Sequence, residues 1–65
     1  MKVITLNGKP AQTKADTVAA LVEELGFPAR TMLVEHNGTA LRPDEWQRPL
    51  ADGDRLELMR IVAGG

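Results

Sequence analysis

The chain has 65 residues, which is enough for one domain with a modest core, and its 43% apolar content is ordinary for a folded protein. Its formal net charge of −1 gives no basic excess for nucleic acid, and no apolar run is long enough to cross a membrane. The absence of cysteine excludes disulfides and thiol chemistry, and His36, the single histidine, cannot form a metal site alone. These features argue against an independent enzyme.

The N-terminal segment predicts a β-hairpin. Alternating apolar residues indicate a first strand over residues 1–6, and Asn7-Gly8 is typical of a tight turn because both residues tolerate positive φ. A second strand follows at about Lys9–Thr13, and Pro10, which cannot donate to a ladder, places it at a sheet edge. The turn comes too early for a secretory signal, so we expect a cytoplasmic protein.

One amphipathic helix follows the hairpin. Asp16 and Thr17 are both good N-cap residues, Gly26 suits the position after the helix, and Pro28 prevents its continuation. Apolar residues recur between them at i, i+3, i+4 and i+7, which is the spacing of one helix face. This face consists of Val18, Leu21, Val22 and Leu25.

The rest of the chain predicts three strands and a helical turn. Met32–His36 leads through Asn37-Gly38 into a short strand at Thr39–Leu41, a helical turn begins at Pro43, and the last strand covers Arg55–Val62. We expect an α+β fold of the β-grasp (ubiquitin-like) type. Its mixed sheet of four to five strands is covered on one face by the helix, with the first and last strands parallel at the centre.

Strand alternation also predicts an apolar strip on the uncovered face of the sheet. A single helix covers only one face, so apolar residues on the other face favour a protein-docking surface. The alternative is that these residues are isolated exposed aliphatics, which are common on protein surfaces. The strip consists of Val3, Leu33, Met59 and Ile61, opposite an inner face of Ile4, Leu6, Met32, Val34, Leu56 and Leu58.

The chain ends in Ala63-Gly64-Gly65 directly after the last predicted strand. With 6 glycines in 65 residues, a chance terminal Gly-Gly is roughly a 1% event, although a frayed end is the simple alternative. Two glycines without Cβ atoms suit a tail that threads a narrow channel in another protein. We therefore expect one domain over residues 1–65 with a flexible Gly-Gly tail.

Over essentially its full length, the chain resembles the sulfur carrier family of thiamine biosynthesis. His36 departs from this family, in which an aliphatic residue usually precedes the second Asn-Gly. The resemblance rests on Asn7-Gly8, the helix Thr17–Leu25, Asn37-Gly38, Arg42-x-x-x-Trp46, Asp52-Gly53-Asp54 and the terminal Gly64-Gly65.

The resemblance implies a carrier that other enzymes act on. An adenylating enzyme of the ubiquitin-activating type would use ATP and Mg²⁺ to form an acyl-adenylate on the Gly65 carboxylate. A sulfur donor protein would displace AMP and leave a thiocarboxylate, and thiazole synthase would take up the sulfur. The tail residues Ala63 and Gly64 would allow the Gly65 carboxylate to extend into the active site of a partner enzyme. The carrier itself would have no catalytic residue, no metal and no stably bound cofactor.

Several alternatives stay open from the sequence. The small subunit of molybdopterin synthase shares the chemistry but is usually longer; a ubiquitin-like protein modifier and a plain β-grasp binding module are the others. His36 fits a structural hairpin histidine better than an acid–base catalyst, since no nucleophile can be placed beside it. Trp46 fits core packing better than a partner contact, and Arg42 fits a solvated side chain as well as a steering charge.

Overall fold

The computed structural model describes residues 1–61. None of the helices in this range is long and apolar enough to span a membrane. The order of elements confirms the predicted α+β class. The elements are strand β1 (Lys2–Leu6), strand β2 (Lys9–Thr13), helix α1 (Val18–Glu24), a 3₁₀ turn (Ala29–Thr31), strand β3 (Met32–His36), strand β4 (Thr39–Leu41), a second 3₁₀ turn (Pro43–Glu45) and strand β5 (Arg55–Arg60).

The five strands form one mixed sheet in the order β2-β1-β5-β3-β4. Strands β1 and β5 are parallel neighbours at the centre, and the other pairs are antiparallel. This arrangement confirms the predicted central pair and the edge position of β2. Pro10 pairs with Thr5 on that edge strand, where a missing N–H costs no bond to a second neighbour.

The asparagine of each hairpin turn also forms a hydrogen bond to the central strand β5. Asn7 and Asn37 each have φ of 51°, and the glycine after each also has positive φ, as the prediction required. The Asn7 Oδ1 atom accepts the Leu58 N–H at 2.8 Å, and the Asn37 Oδ1 atom accepts the Arg55 N–H at 2.8 Å. These bonds extend the hydrogen bonding of β5 beyond the ends of its neighbours.

Helix α1 begins and ends where its capping residues predict. The Thr17 Oγ1 atom accepts the Ala20 N–H at 3.0 Å, so Thr17 rather than Asp16 is the N-cap. Gly26 has φ of +75° and donates its N–H to the Glu23 carbonyl at 3.0 Å, which satisfies an otherwise free helix carbonyl. The helix is therefore fixed at both ends by local chemistry.

The core lies between α1 and one face of the sheet. Trp46 is only 5% exposed and packs in this core, as predicted, so it offers almost no surface to a partner. Leu6 and Leu25 pack against it from the side. The remaining buried apolar residues are Ile4, Ala15, Val18, Leu21, Val22, Met32, Val34, Leu41, Leu50, Leu56 and Leu58.

The last strand is shorter than predicted within the described range. Strand β5 ends at Arg60, because its partner β3 begins at Met32, which is paired with Arg60. Ile61 makes one further backbone bond, from its N–H to the Thr31 carbonyl at 2.6 Å. The sequence predicts a strand that continues through Ile61 to Val62, and Val62 lies outside the described residues.

Candidate docking face and C-terminal tail

The face of the sheet turned away from α1, here called the outer face, is uncovered within residues 1–61. Burial alternates along the strands, so that Leu56 and Leu58 are buried while their neighbours in β5 are exposed. The same alternation holds in β3, where Met32 and Val34 are buried. The outer face of the three central strands consists of Val3, Thr5, Leu33, Glu35, Arg55, Glu57 and Met59.

Three of the four predicted docking residues lie together at the end of the outer face where the chain leaves β5. Leu33 and Met59 are directly opposite each other across β3 and β5, and they are 50% and 42% exposed. Ile61 follows two residues after Met59 and is 46% exposed. We call Leu33, Met59 and Ile61 the apolar patch.

Val3 lies on the outer face, as predicted, but apart from the apolar patch. It is 48% exposed. Thr5 is paired with Arg55, so Val3 lies level with Gly53, six residues before Met59 along β5. At about 3.3 Å per residue this separation is roughly 20 Å. Sequence alternation predicts the face correctly, but the offset between strands decides which residues on it are neighbours.

A pair of acidic residues lies beside the apolar patch, and sequence reasoning missed it. Glu35 is directly opposite Glu57 across β3 and β5, one step along the outer face from the Leu33–Met59 pair. Within residues 1–61 neither carboxylate takes part in an ion pair. Only the strand register shows this pairing, because the two residues are 22 positions apart in sequence.

A second polar cluster lies at the N-terminal end of β5, around Asp54. The Asp54 carboxylate is 2.7 Å from His36 Nε2 and accepts bonds from the Asn37 side chain at 3.1 Å and the Ala51 N–H at 2.9 Å. A carboxylate only accepts, so His36 Nε2 carries the proton in this contact. His36 is therefore a hairpin anchor, in agreement with its predicted structural role.

Two opposing effects act on the Asp54 carboxyl. Partial burial raises its pKa, while hydrogen bonds from His36, Ala51 and Asn37 stabilise the ionised form and lower it. The hydrogen bonds prevail, and the pKa of Asp54 lies below its ordinary value. This cluster is a structural feature of the fold, and it lies at the end of β5 away from the apolar patch.

The described residues form no other obvious chemical site. Arg42 lies near Asp44 at 3.4 Å and Glu45 at 4.0 Å, and its side chain is 76% exposed, which fits the solvated alternative. No group of three or more His, Cys, Asp or Glu side chains within residues 1–61 is placed to hold a metal ion. The outer face and the tail that follows Ile61 are therefore the candidates for function.

Comparison with known proteins decides the family. A model of the ThiS family matches residues 4–65. The chain belongs to the ThiS family. The sulfur carrier protein ThiS of Thermus thermophilus is 33% identical to this ThiS-family chain over 64 residues, which cover 97% of the chain and all of that protein.

Two solved structures of the thiamine biosynthesis protein ThiS from Geobacter metallireducens are also similar to this ThiS-family chain. The crystal structure has a TM-score of 0.81 at 31% identity and covers 97% of this chain and 99% of that one. The solution structure has a TM-score of 0.79 at 29% identity, with 97% and 87% coverage. These similarities confirm the β-grasp fold and the family resemblance found in the sequence.

The predicted tail residues of this ThiS-family chain, Ala63, Gly64 and Gly65, lie outside the described residues. The family match includes them, because it extends to Gly65. Four residues follow Ile61, and a fully extended chain of four residues spans at most about 14 Å. The apolar patch therefore lies at the base of the tail.

Proposed function

We propose that this ThiS-family protein carries sulfur for thiamine biosynthesis as a thiocarboxylate on Gly65. The observation that supports the proposal most directly is the family match that runs through Gly64-Gly65. The relatives with thiamine-related names support the same pathway over nearly the full chain. The protein would act as a cosubstrate that other enzymes load and unload in the cytoplasm.

The chemistry begins with a carboxylate, which is a poor electrophile. The adenylating enzyme joins the Gly65 carboxylate to AMP from ATP, releases pyrophosphate and so provides a good leaving group. The nucleotide and Mg²⁺ belong to that enzyme, whose groups stabilise the phosphoryl chemistry. A persulfide sulfur on a donor protein then attacks the acyl carbon and AMP leaves, which gives an acyl disulfide. A second thiol, which belongs to the partner proteins because this chain has no cysteine, cleaves the S–S bond, so that the Gly65 thiocarboxylate is released and a disulfide forms on the partner side. Thiazole synthase takes the sulfur from the thiocarboxylate.

The carrier contributes shape and position to these steps. Gly64 and Gly65 have no Cβ atoms, so the end of the tail is slim enough for a narrow channel. An enzyme that holds the Gly65 carboxylate works within about 14 Å of Ile61, at the base of the tail. We therefore propose the apolar patch as the docking surface for the activating enzyme and for thiazole synthase. A contact at Val3 would require a partner that also reaches the far end of the outer face.

The tail proposal is tested by measuring pyrophosphate release with the cognate adenylating enzyme. Removal of Gly65 or the change Gly64→Val should lower the rate by more than about a hundredfold, because small displacements at a reacting centre have effects of this size. Circular dichroism should show an unchanged fold. Ala63→Gly is the matched control, since it only removes a methyl group from the same tail and should stay active.

The product gives a second measurement. After incubation with the sulfur donor, the intact mass of the wild-type protein should rise by the difference between sulfur and oxygen. A Gly64→Val protein that is activated as fast as the wild type would contradict the proposed role of the tail.

A further inference from the structure

The acidic pair on the outer face points to the chemistry of the partner, given the sulfur-carrier function proposed above. We infer that the adenylating enzyme presents a basic side chain to Glu35 and Glu57, next to an apolar surface that covers Leu33 and Met59. The contact would place one cation between two carboxylates that take part in no ion pair within residues 1–61.

The strand register makes Glu35 and Glu57 an unfavourable pair in the isolated domain. Residues directly opposite each other in an antiparallel pair have Cβ atoms about 5 Å apart, and like charges at this separation destabilise the sheet. Glu35 is also half-buried, which reduces the screening of its charge by water. The pair therefore lowers the stability of the free protein without a compensating contact within residues 1–61.

None of the neighbouring side chains within residues 1–61 forms an ion pair with either carboxylate. Arg55 is the nearest basic residue on the outer face, one step further along β5, and it makes no ion pair with either carboxylate. On the β4 side of the pair, the residue opposite Glu35 is the uncharged Ala40. A shallow cavity of about 230 Å³ is lined by both carboxylates, Arg55 and Thr5. A lysine or arginine side chain from a partner can enter this cavity from solvent.

The position of the pair favours an activating enzyme over a second copy of this chain as the occupant. Glu35 and Glu57 adjoin the Leu33–Met59 pair, and the tail starts from the same end of the sheet. One enzyme that accepts the tail therefore covers the apolar patch and reaches both carboxylates. A symmetric dimer through this face would instead bring a second acidic pair towards the first, which is unfavourable.

The test compares Glu57→Gln and the double variant Glu35→Gln/Glu57→Gln with wild type. In the free protein, each should raise the melting temperature by about 1 to 5 °C, because the repulsion is removed. With the adenylating enzyme, the double variant should raise the KM for the carrier by about three- to tenfold and make it less dependent on salt. Pyrophosphate release at saturating carrier should be unchanged.

Controls separate this inference from a general charge effect and from the function itself. Glu23→Gln removes one exposed carboxylate from α1, on the other side of the molecule, and should change neither KM nor its salt dependence. Arg55→Gln removes the cation of the same face and should not raise KM. If wild type is not activated at all, the proposed function is wrong.

Two further results would overturn the inference while leaving the carrier function intact. One is normal activation of wild type with the same KM and salt dependence in the Glu35→Gln/Glu57→Gln protein. The other is a wild-type dimer in sedimentation that dissociates in a Met59→Ser protein, because the outer face would then be occupied by a second copy.

Discussion

At the scale of single residues, Asp54 connects two segments that are distant in sequence. Its carboxylate receives hydrogen bonds from His36, from the Asn37 side chain and from the Ala51 N–H, and its side chain is only 13% exposed. It joins the β3–β4 turn to the loop before β5. The sequence motif Asp52-Gly53-Asp54 indicates a turn, but the turn alone does not show that its last residue organises the neighbouring hairpin.

The lowered pKa of Asp54 predicts how stability depends on pH. Since the folded pKa lies below the unfolded value of about 3.9, ionised Asp54 stabilises the protein above that pH. This contribution is lost as the pH falls through the folded pKa. At pH 7, Asp54→Asn should lower the free energy of unfolding by about 1 to 3 kcal/mol, because an amide cannot accept from His36 with the same strength. The measurement is urea unfolding between pH 7 and pH 3.

The difference between wild type and Asp54→Asn should shrink as the pH approaches 3. Asp44→Asn is the matched control, because the Asp44 side chain is 71% exposed beside Arg42 and such surface pairs contribute little. A stability difference for Asp54→Asn that stays constant over the whole pH range would show that its carboxylate is not the group responsible.

At the scale of elements, strand β5 carries both the core and the proposed docking surface. Leu56 and Leu58 are buried against α1, while Met59 on the other face is 42% exposed. Period-two alternation in the sequence is sufficient to predict this division, because one residue of offset would reverse it for the whole strand. The alternation cannot predict distances along the sheet, and for that reason it groups Val3 with residues that lie roughly 20 Å away.

Substitutions on the two faces of β5 should affect different quantities. A change on the outer face should affect the KM with the adenylating enzyme, and a change on the inner face should affect the free energy of unfolding. Met59→Ser removes apolar surface from the patch without adding charge, so it should raise the KM with the adenylating enzyme by about 5- to 30-fold. It should change the free energy of unfolding by less than about 1 kcal/mol, since Met59 is not in the core. Leu58→Ala, next to it in sequence, should lower stability by about 2 to 5 kcal/mol.

Val3→Ser is a second comparison on the outer face. It removes a similarly exposed aliphatic side chain at the far end of the face. If the contact is centred on the apolar patch, the KM of the Val3→Ser protein should equal that of wild type. Binding is measured through carrier KM, and stability through urea unfolding. Strong unfolding of the Met59→Ser protein would show that Met59 has a structural role that its exposure does not indicate.

At the scale of the whole molecule, local signals in the sequence account for most of the architecture. The Asn-Gly turns, the capped helix and the strand periods each predict one element, and their order predicts the central parallel pair. The contacts that complete the fold join residues far apart in sequence. Examples are the Asp52 side chain to the Val3 N–H and the Asn7 side chain to the Leu58 N–H, and no local pattern indicates them.

The choice of sulfur acceptor is also a property of the whole folded surface. The small subunit of molybdopterin synthase, the closest alternative, would carry the same thiocarboxylate, so the tail cannot discriminate between the two acceptors. Specificity must come from contacts outside the tail, and the contacts that we propose for this chain are the apolar patch and the acidic pair beside it. The names of the relatives favour thiamine over molybdopterin as the pathway.

We therefore predict that the thiocarboxylated protein transfers sulfur to thiazole synthase and does not restore a molybdopterin synthase large subunit at the same concentration. The measurement is a paired reconstitution in which one loaded preparation is divided between the two acceptors and sulfur loss is followed by intact mass. Met59→Ser, loaded to the same extent, should slow transfer to thiazole synthase, because the docking surface is weakened while the thiocarboxylate is unchanged. Efficient transfer to the molybdopterin enzyme with none to thiazole synthase would reassign the acceptor and leave the carrier chemistry of Gly65 in place.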